Sequence, residues 1–309
     1  MKREPLIGSS LLFVAALIWG CAFVAQSMGM DYMGPFTFQA VRSFVGVAVL
    51  VPAIALQNAW KKKRGKYNKP SQMNKKDLLL GGLLCGTLLC VAANLQQVAL
   101  QYTTAGKAGF LTALYILLVP VVGIFAGRKP SPLIWLCILL AAFGLWLLSV
   151  KDGFTIALPD LLLILCAVVF TGHILLVDHF SPKVSGLQLS SLQFLVAGVL
   201  SAILMLAFEQ PKWQGIVMGW APILYAGVLS SGVAYTLQIL GQRRTPPTIA
   251  SLIMSLESVF ALLAGMLILG EQPTLRELAG CAIMMAAIIL AQWAQLPKRI
   301  VEGVVHESI

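Results

Sequence analysis

Charged side chains are scarce in this sequence. Asp, Glu, Lys and Arg together account for 11% of its 309 residues, whereas hydrophobic residues account for 59%. A soluble globular domain carries about 25% charged residues, and the mean hydropathy here is +0.87. The longest polar stretch, residues 57–77, is too short to form a large domain outside a membrane. The scarcity of charge therefore excludes a water-soluble protein and predicts one embedded in a lipid bilayer.

Motifs for catalysis and metal binding are also missing from the sequence. The six cysteines lie in apolar stretches and form no CxxC pair, and no histidine stands at zinc-finger spacing from them. Neither HExxH nor GxSxG occurs. The pair Asp178-His179 is the sharpest candidate for catalysis, but its place at the end of an apolar stretch favours a helix cap. The sequence therefore predicts no enzyme, no metal and no cofactor.

Ten apolar stretches follow one another along the chain. Each is nearly free of charge, and a transmembrane helix needs about 20 apolar residues. In lipid, a helix satisfies every backbone amide within its own segment. The sequence thus predicts an all-α polytopic membrane protein with ten transmembrane helices. Their predicted ranges are 7–27, 35–57, 78–100, 104–126, 133–150, 161–178, 187–208, 217–241, 248–269 and 278–296.

The basic residues lie unevenly between these stretches. The net charge is +10, and 17 of the 22 Lys and Arg fall on one side of the membrane if the amino terminus is cytoplasmic. Cytoplasmic loops carry such an excess. We therefore expect both termini to be cytoplasmic and the protein to lie in the cell (inner) membrane. Because the basic residues separate membrane spans instead of covering a soluble surface, nucleic acid is excluded as a partner.

The two halves of the sequence show a weak internal repeat. Three pairs of segments match in the same order at offsets of 142 to 151 residues: 34–44 with 185–194, 94–97 with 236–239, and 127–130 with 270–273. Each half contains five predicted helices, and because five is odd the halves must face opposite ways across the membrane. Many secondary transporters share this plan. The sequence predicts inverted repeats at 7–150 (spans 1–5) and 158–297 (spans 6–10).

Several motifs resemble those of the drug/metabolite transporter superfamily, EamA type, over about residues 7–296. They are WGCAFV at 19–24, Arg42 in the second span, TAGKAGFLT at 104–112, SLESVF at 255–260 and LGE at 269–271. The resemblance implies ten helices in inverted repeats, a central cavity, and alternating-access transport of small metabolites, often amino acids and commonly outward. Family members often carry proline after the glutamate of span nine, where this chain has Ser258.

Four ionisable residues lie inside predicted spans. A charge near the bilayer centre costs about 2.5–3.5 kcal/mol on insertion scales, so such residues are candidates for function. Glu257, close to the middle of span nine, is expected to bind a solute or to couple transport to protons. Arg42, Lys107 and His173 are further candidates for coupling or charge pairing. Snorkelling of the two basic residues and a hydrogen-bonded helix contact of the histidine are the structural alternatives.

Neutral polar side chains favour a cavity between the halves. Asn94 and Gln97 share one face of span three, and Tyr235 and Gln238 repeat their spacing in span eight. Hydrogen bonds between helices would explain the same pattern. The residues predicted to line the cavity are Trp19, Asn94, Gln97, Tyr115, Tyr235, Gln238 and Glu257.

These features predict a secondary transporter that exports a small polar or amphiphilic metabolite, such as an amino acid. Its partners would be that solute, the bilayer and, in one role of Glu257, protons. Two alternatives stay open at this point. One is an efflux carrier for drugs or toxic compounds, and the other is a polytopic membrane enzyme.

Overall fold

The computed structural model describes residues 4–63, 75–125, 127–128, 130–149, 157–270, 272 and 274–294. Within these ranges the regular secondary structure is entirely helical, which confirms the predicted all-α class. The basic residues predicted to be cytoplasmic at 64–69 and 298–299 lie outside the described residues. The α-helices are α1 (Glu4–Gly29), α2 (Pro35–Lys63), α3 (Lys75–Ala99), α4 (Ala105–Thr112), α5 (Tyr115–Phe125), α6 (Pro132–Ser149), α7 (Leu158–Phe180), α8 (Gly186–Phe208), α9 (Trp213–Met218), α10 (Trp220–Leu224), α11 (Tyr235–Gln242), α12 (Pro247–Met254), α13 (Glu257–Leu269) and α14 (Leu275–Ala294), and a π-helix at Tyr225–Ala234 joins α10 to α11.

Among the described residues, eight helical stretches are long and apolar enough to cross a membrane, and each overlaps one predicted span. A ninth, Pro132–Leu147, is apolar but shorter. Helix α14 overlaps the predicted tenth span. The structure thus supports a multi-pass membrane protein, whereas the count of ten spans stays a prediction. Large apolar side chains such as Leu56, Leu79 and Leu206 are more than 60% exposed on the outer faces of these helices, as expected where helices contact lipid.

Two of the spanning stretches are divided at corresponding places. The stretch 105–125 is interrupted between α4 and α5, and the stretch 247–268 between α12 and α13. The two interruptions lie 142 residues apart in the sequence. Helices α4 and α12 begin at residues 105 and 247, and the helices that follow them, α5 and α13, begin at residues 115 and 257. In each, a backbone N–H bonds a carbonyl three residues earlier, from Leu114 to Leu111 and from Leu256 to Ile253. Such tight turns often mark functional segments inside helices.

Serine side chains account for part of the second interruption. The hydroxyl of Ser255 donates to the carbonyl of Leu252 at 2.8 Å, and that of Ser251 donates to Thr248 at 2.9 Å. These bonds compete with the helical bonds of the same carbonyls. The chain therefore divides at 255–256 although Ser258 replaces the family's proline.

Small residues let the helices that surround the centre approach closely. A Cβ atom added to Gly20 of α1 would overlap with Cβ of Phe260 in α13. Glycine permits this approach, and small residues at helix contacts are typical of membrane bundles. The centre of the helix bundle is enclosed by α1, α2, α3, α7 and the two divided stretches. Helix α6 packs mainly on α14 at the side of the bundle.

Candidate solute-binding cavity

A cavity lies at the centre of the bundle, beside the two helix interruptions. Its empty volume is about 460 Å³, which includes open solvent space at its mouth. Six residues that the sequence predicted as site residues line it: Trp19, Arg42, Tyr115, Tyr235, Gln238 and Glu257. These six come from both halves of the sequence, as a cavity between two repeats requires.

Glu257 is placed in the cavity by the interruption of its span. It is the first residue of α13, and only 5% of its surface is exposed. The hydroxyl of Tyr115, the first residue of α5, donates a hydrogen bond of 2.9 Å to Oε1 of Glu257. The amino end of a helix also favours a negative charge. A carboxylate is thus held in a buried, polar part of the cavity by one phenol and a helix end.

Arg42 extends from α2 to the same cavity. Its side chain is buried, and its Nη1 donates a hydrogen bond of 2.8 Å to Oε1 of Gln26. Its Nε has no hydrogen-bond partner among the described residues. Within the part of the chain that the structure describes, the ion pairs are Lys107–Asp160 and Arg128–Asp178, and neither involves Arg42 or Glu257. A basic and an acidic side chain therefore face one cavity without pairing with each other.

Aromatic rings form part of the cavity wall. The rings of Trp19 and Tyr235 meet edge to face with their centroids 4.7 Å apart. Phe194 supports Tyr235 from behind at 5.0 Å. Tyr235 follows the π-helix, and π-helical turns occur often at functional sites. The wall thus combines apolar ring surfaces with polar groups, an arrangement that suits an amphiphilic solute.

Asn94 and Gln97 do not line this cavity. Nδ2 of Asn94 donates a hydrogen bond of 2.8 Å to Ser201 in α8. Nε2 of Gln97 donates to the backbone carbonyl of Gln26 in α1 at 3.2 Å. Their neighbour Gln96 lines the cavity and donates to Thr112 at 3.0 Å. Asn94 and Gln97 therefore form hydrogen bonds between helices, which is the alternative to cavity lining that the sequence also allowed.

His173 lies behind the cavity wall. It is fully buried, and its Nε2 is 3.1 Å from Oε1 of Gln193. Its ring centroid is 6.0 Å from that of Tyr235. His173 thus contacts a residue of the cavity wall but does not itself line the cavity.

Lys107 lies at the end of the bundle, away from the cavity. Its Nζ is 2.7 Å from Oδ1 of Asp160, which joins α4 to the start of α7. At the other end of α7, Asp178 accepts a hydrogen bond of 2.5 Å from Arg128, which follows α5. Asp178 therefore pairs with a basic residue, where the sequence favoured a helix cap. The two ion pairs join the stretch 105–125 to α7 at both ends.

The sequence did not single out several residues that line the cavity. The polar ones are Gln26, Gln96, Thr112 and Ser230. Gln26 could have been recognised from the sequence, because it is an amide in a mainly apolar predicted span. The apolar ones are Phe23, Phe170, Ile174 and Met254. Phe23 lies within the motif at 19–24, but nothing in the local sequence of the other three separates them from residues of the core.

The chain is similar to known transporters and to a solved structure. The EamA-like transporter family matches residues 6–150 and 157–293. An uncharacterized transporter of Archaeoglobus fulgidus is 29% identical over 90% of this chain and 83% of its own length. The threonine/homoserine exporter RhtA of Escherichia coli K12 is 27% identical over 90% of this chain and 88% of its own length. A solved crystal structure, 20% identical, shares the fold with a TM-score of 0.74 over 95% of this chain and 98% of that one. This chain belongs to the EamA-like transporter family.

Proposed function

We propose that this protein is a secondary transporter that exports a small amphiphilic metabolite by alternating access, and that threonine and homoserine are the first candidate solutes. One observation carries the proposal: the buried carboxyl group of Glu257 faces a central cavity that residues from both halves of the chain line. The names of related exporters support the solute class and the outward direction.

Glu257 has two possible roles, and both need its carboxylate. In the first, it stays ionised and binds the ammonium group of the solute. In the second, it exchanges a proton with each side of the membrane in turn and so couples transport to the proton gradient. Ionisable residues inside membrane proteins commonly serve such purposes. The bond from Tyr115 to Oε1 supports both roles because it fixes the position of the carboxylate.

We infer that the chain forms ten spans in two inverted five-helix repeats, 7–150 and 158–297. The matching helix interruptions support this, since they recur at a constant offset of 142 residues. The family also matches the chain twice, once in each half. In this arrangement Tyr115 and Glu257 occupy equivalent positions in the two repeats. Divided helices at the midplane are typical of carriers built this way.

The orientation of the chain follows from its basic residues, and we propose cytoplasmic termini in the cell (inner) membrane. Single cysteines at Asn68, which lies outside the described residues, and at Gln214 test this orientation. An impermeant thiol reagent added outside should label Gln214→Cys and spare Asn68→Cys. The opposite labelling pattern would reverse the proposed topology.

Efflux from proteoliposomes tests the function. Vesicles that contain the purified protein should release labelled threonine faster than protein-free vesicles loaded with the same label. The released threonine should be recovered unchanged. A converted product would instead indicate a membrane enzyme.

A second carrier function has one observation in its favour: a carboxylate beside aromatic walls is also a site for lipophilic cations. Transport of ethidium, with no transport of threonine or homoserine, would assign the cavity to toxic cations.

A further inference from the structure

We propose that Arg42 and Gln26 form a binding subsite for a carboxylate group, so that the transported solute carries both a carboxylate and an ammonium group. This inference rests on the proposed function, because it assigns the second end of the solute in the same cavity.

The first argument is the uncompensated charge of Arg42. Only 2% of its surface is exposed, so it does not reach out to the membrane surface. A guanidinium has five N–H donors. One of them bonds to Gln26, and Nε has no partner among the described residues. A buried charge left unpaired is strongly destabilising, and a bound anion would satisfy it.

The second argument is the way in which Gln26 is oriented. Its Nε2 donates to the carbonyl of Ala22 at 3.1 Å, which leaves its Oε1 to accept the bond from Arg42. Its own backbone carbonyl accepts a bond from Gln97. Gln26 therefore neutralises no charge but holds one end of the guanidinium. A guanidinium held in this way is suited to bind both oxygens of a carboxylate.

The third argument is the position of Glu257. Arg42 and Glu257 line the same cavity and do not pair with each other. A zwitterionic solute would offer an ammonium group to Glu257 and a carboxylate group to Arg42. A cation without a carboxylate would leave the guanidinium unpaired, which disfavours it against an amino acid. The subsite thus acts in selection as well as in binding.

Paired ligands test the subsite in proteoliposomes. Threonine is compared with threoninol, in which a hydroxymethyl group replaces the carboxylate and the ammonium group is kept. We expect threonine to compete for counterflow of labelled threonine at least tenfold better than threoninol in the wild type. In Arg42→Gln and Gln26→Leu the half-saturating concentration of threonine should rise at least tenfold, while that of threoninol should change less than twofold. Gln193→Leu is the matched control, since Gln193 is buried but lies outside the cavity.

Thermal unfolding of the purified protein gives a readout that does not depend on the identity of the solute. Acetate at constant ionic strength should raise the melting temperature of the wild type above its value in chloride, and should not do so in Arg42→Gln. If Arg42→Gln does not fold, Arg42→Lys, which keeps the charge but loses the planar fork, should show a reduced effect.

The outcomes separate this inference from the proposed function. Equal counterflow of threonine and threoninol in wild type and Arg42→Gln would overturn the subsite and leave the transporter intact. Protection by acetate that depends on Arg42, with no amino-acid transport, would support the subsite and overturn the proposed solute. Equal protection by chloride and acetate would show a site for inorganic anions and overturn the carboxylate inference.

Discussion

Tyr115 and Glu257 meet at the centre of the protein, where the hydroxyl of Tyr115 donates a hydrogen bond of 2.9 Å to the carboxylate of Glu257. Each is the first residue after the interruption of a divided helix, and they stand 142 residues apart in the sequence. The two interruptions thus bring a phenol from one half and a carboxylate from the other to a single point in the cavity. This contact links the fold to the proposed chemistry.

The first prediction concerns that contact. Tyr115→Phe removes the phenol but keeps the ring, and a hydrogen bond to a charged group contributes about 1.5–3 kcal/mol. We expect the half-saturating concentration for threonine counterflow to rise about tenfold. Tyr225→Phe is the control, because its hydroxyl bonds to the carbonyl of Ile18 outside the cavity. If both variants resemble the wild type, the contact between Tyr115 and Glu257 does not contribute to binding.

The second prediction separates cavity residues from packing residues. Gln238 lines the cavity, whereas Gln97 bonds to the backbone of α1. We therefore expect Gln238→Leu to lower the initial rate of threonine transport at least fivefold, and Gln97→Leu to lower it less. Rates are compared at equal amounts of protein in the membrane. A larger loss of rate in Gln97→Leu than in Gln238→Leu would contradict the assignment of Gln238, and not Gln97, to the solute-binding cavity.

Part of the cavity lining is predictable from the sequence alone. Glu257 and Arg42 were found because a charge stands out within an apolar stretch. On α3 the sequence predicted that Gln97 lines the cavity, but its neighbour Gln96 does so instead. Adjacent residues on a helix point about 100° apart, and the rotation of each helix is set by packing that a local pattern does not contain.

The contacts between distant parts of the chain were also beyond the sequence. The sequence predicts coupling or charge pairing for Lys107 but does not identify its partner, because Asp160 lies 53 positions away. The fold places them together because α4 begins beside the start of α7. By contrast, the all-helical class and the family resemblance depend on patterns within each segment, and the structure and the family match confirm both.

The third prediction concerns the ion pair of Lys107 and Asp160. Asp160 is 5% exposed, so the removal of its partner leaves a largely buried carboxylate unpaired. We expect Lys107→Glu to lower the melting temperature in detergent by several degrees. The double variant Lys107→Asp with Asp160→Lys should recover at least half of the loss. A double variant no more stable than the single one would show that the pair does not stabilise the fold.

The fourth prediction concerns the contact of α1 with α13. Gly20→Ala places a methyl group where it overlaps with Cβ of Phe260, and overpacking of this kind costs about 1–3 kcal/mol. We expect a lower melting temperature and less protein in the membrane. Gly106→Ala is the matched control, because no atom lies within 4 Å of the added group. Equal stability of the two variants would contradict the close approach of these helices.

The most direct test of the account is transport of threonine by Glu257→Gln in proteoliposomes, beside the wild type and Glu209→Gln. Glu209 caps the start of α2 outside the cavity and controls for the loss of a carboxylate. With an imposed proton gradient, the wild type and Glu209→Gln should concentrate threonine, and Glu257→Gln should not. Exchange without a gradient would persist in Glu257→Gln if the carboxylate only couples protons, and would disappear if it binds the solute. Uphill transport by Glu257→Gln at the rate of the wild type would contradict the central claim.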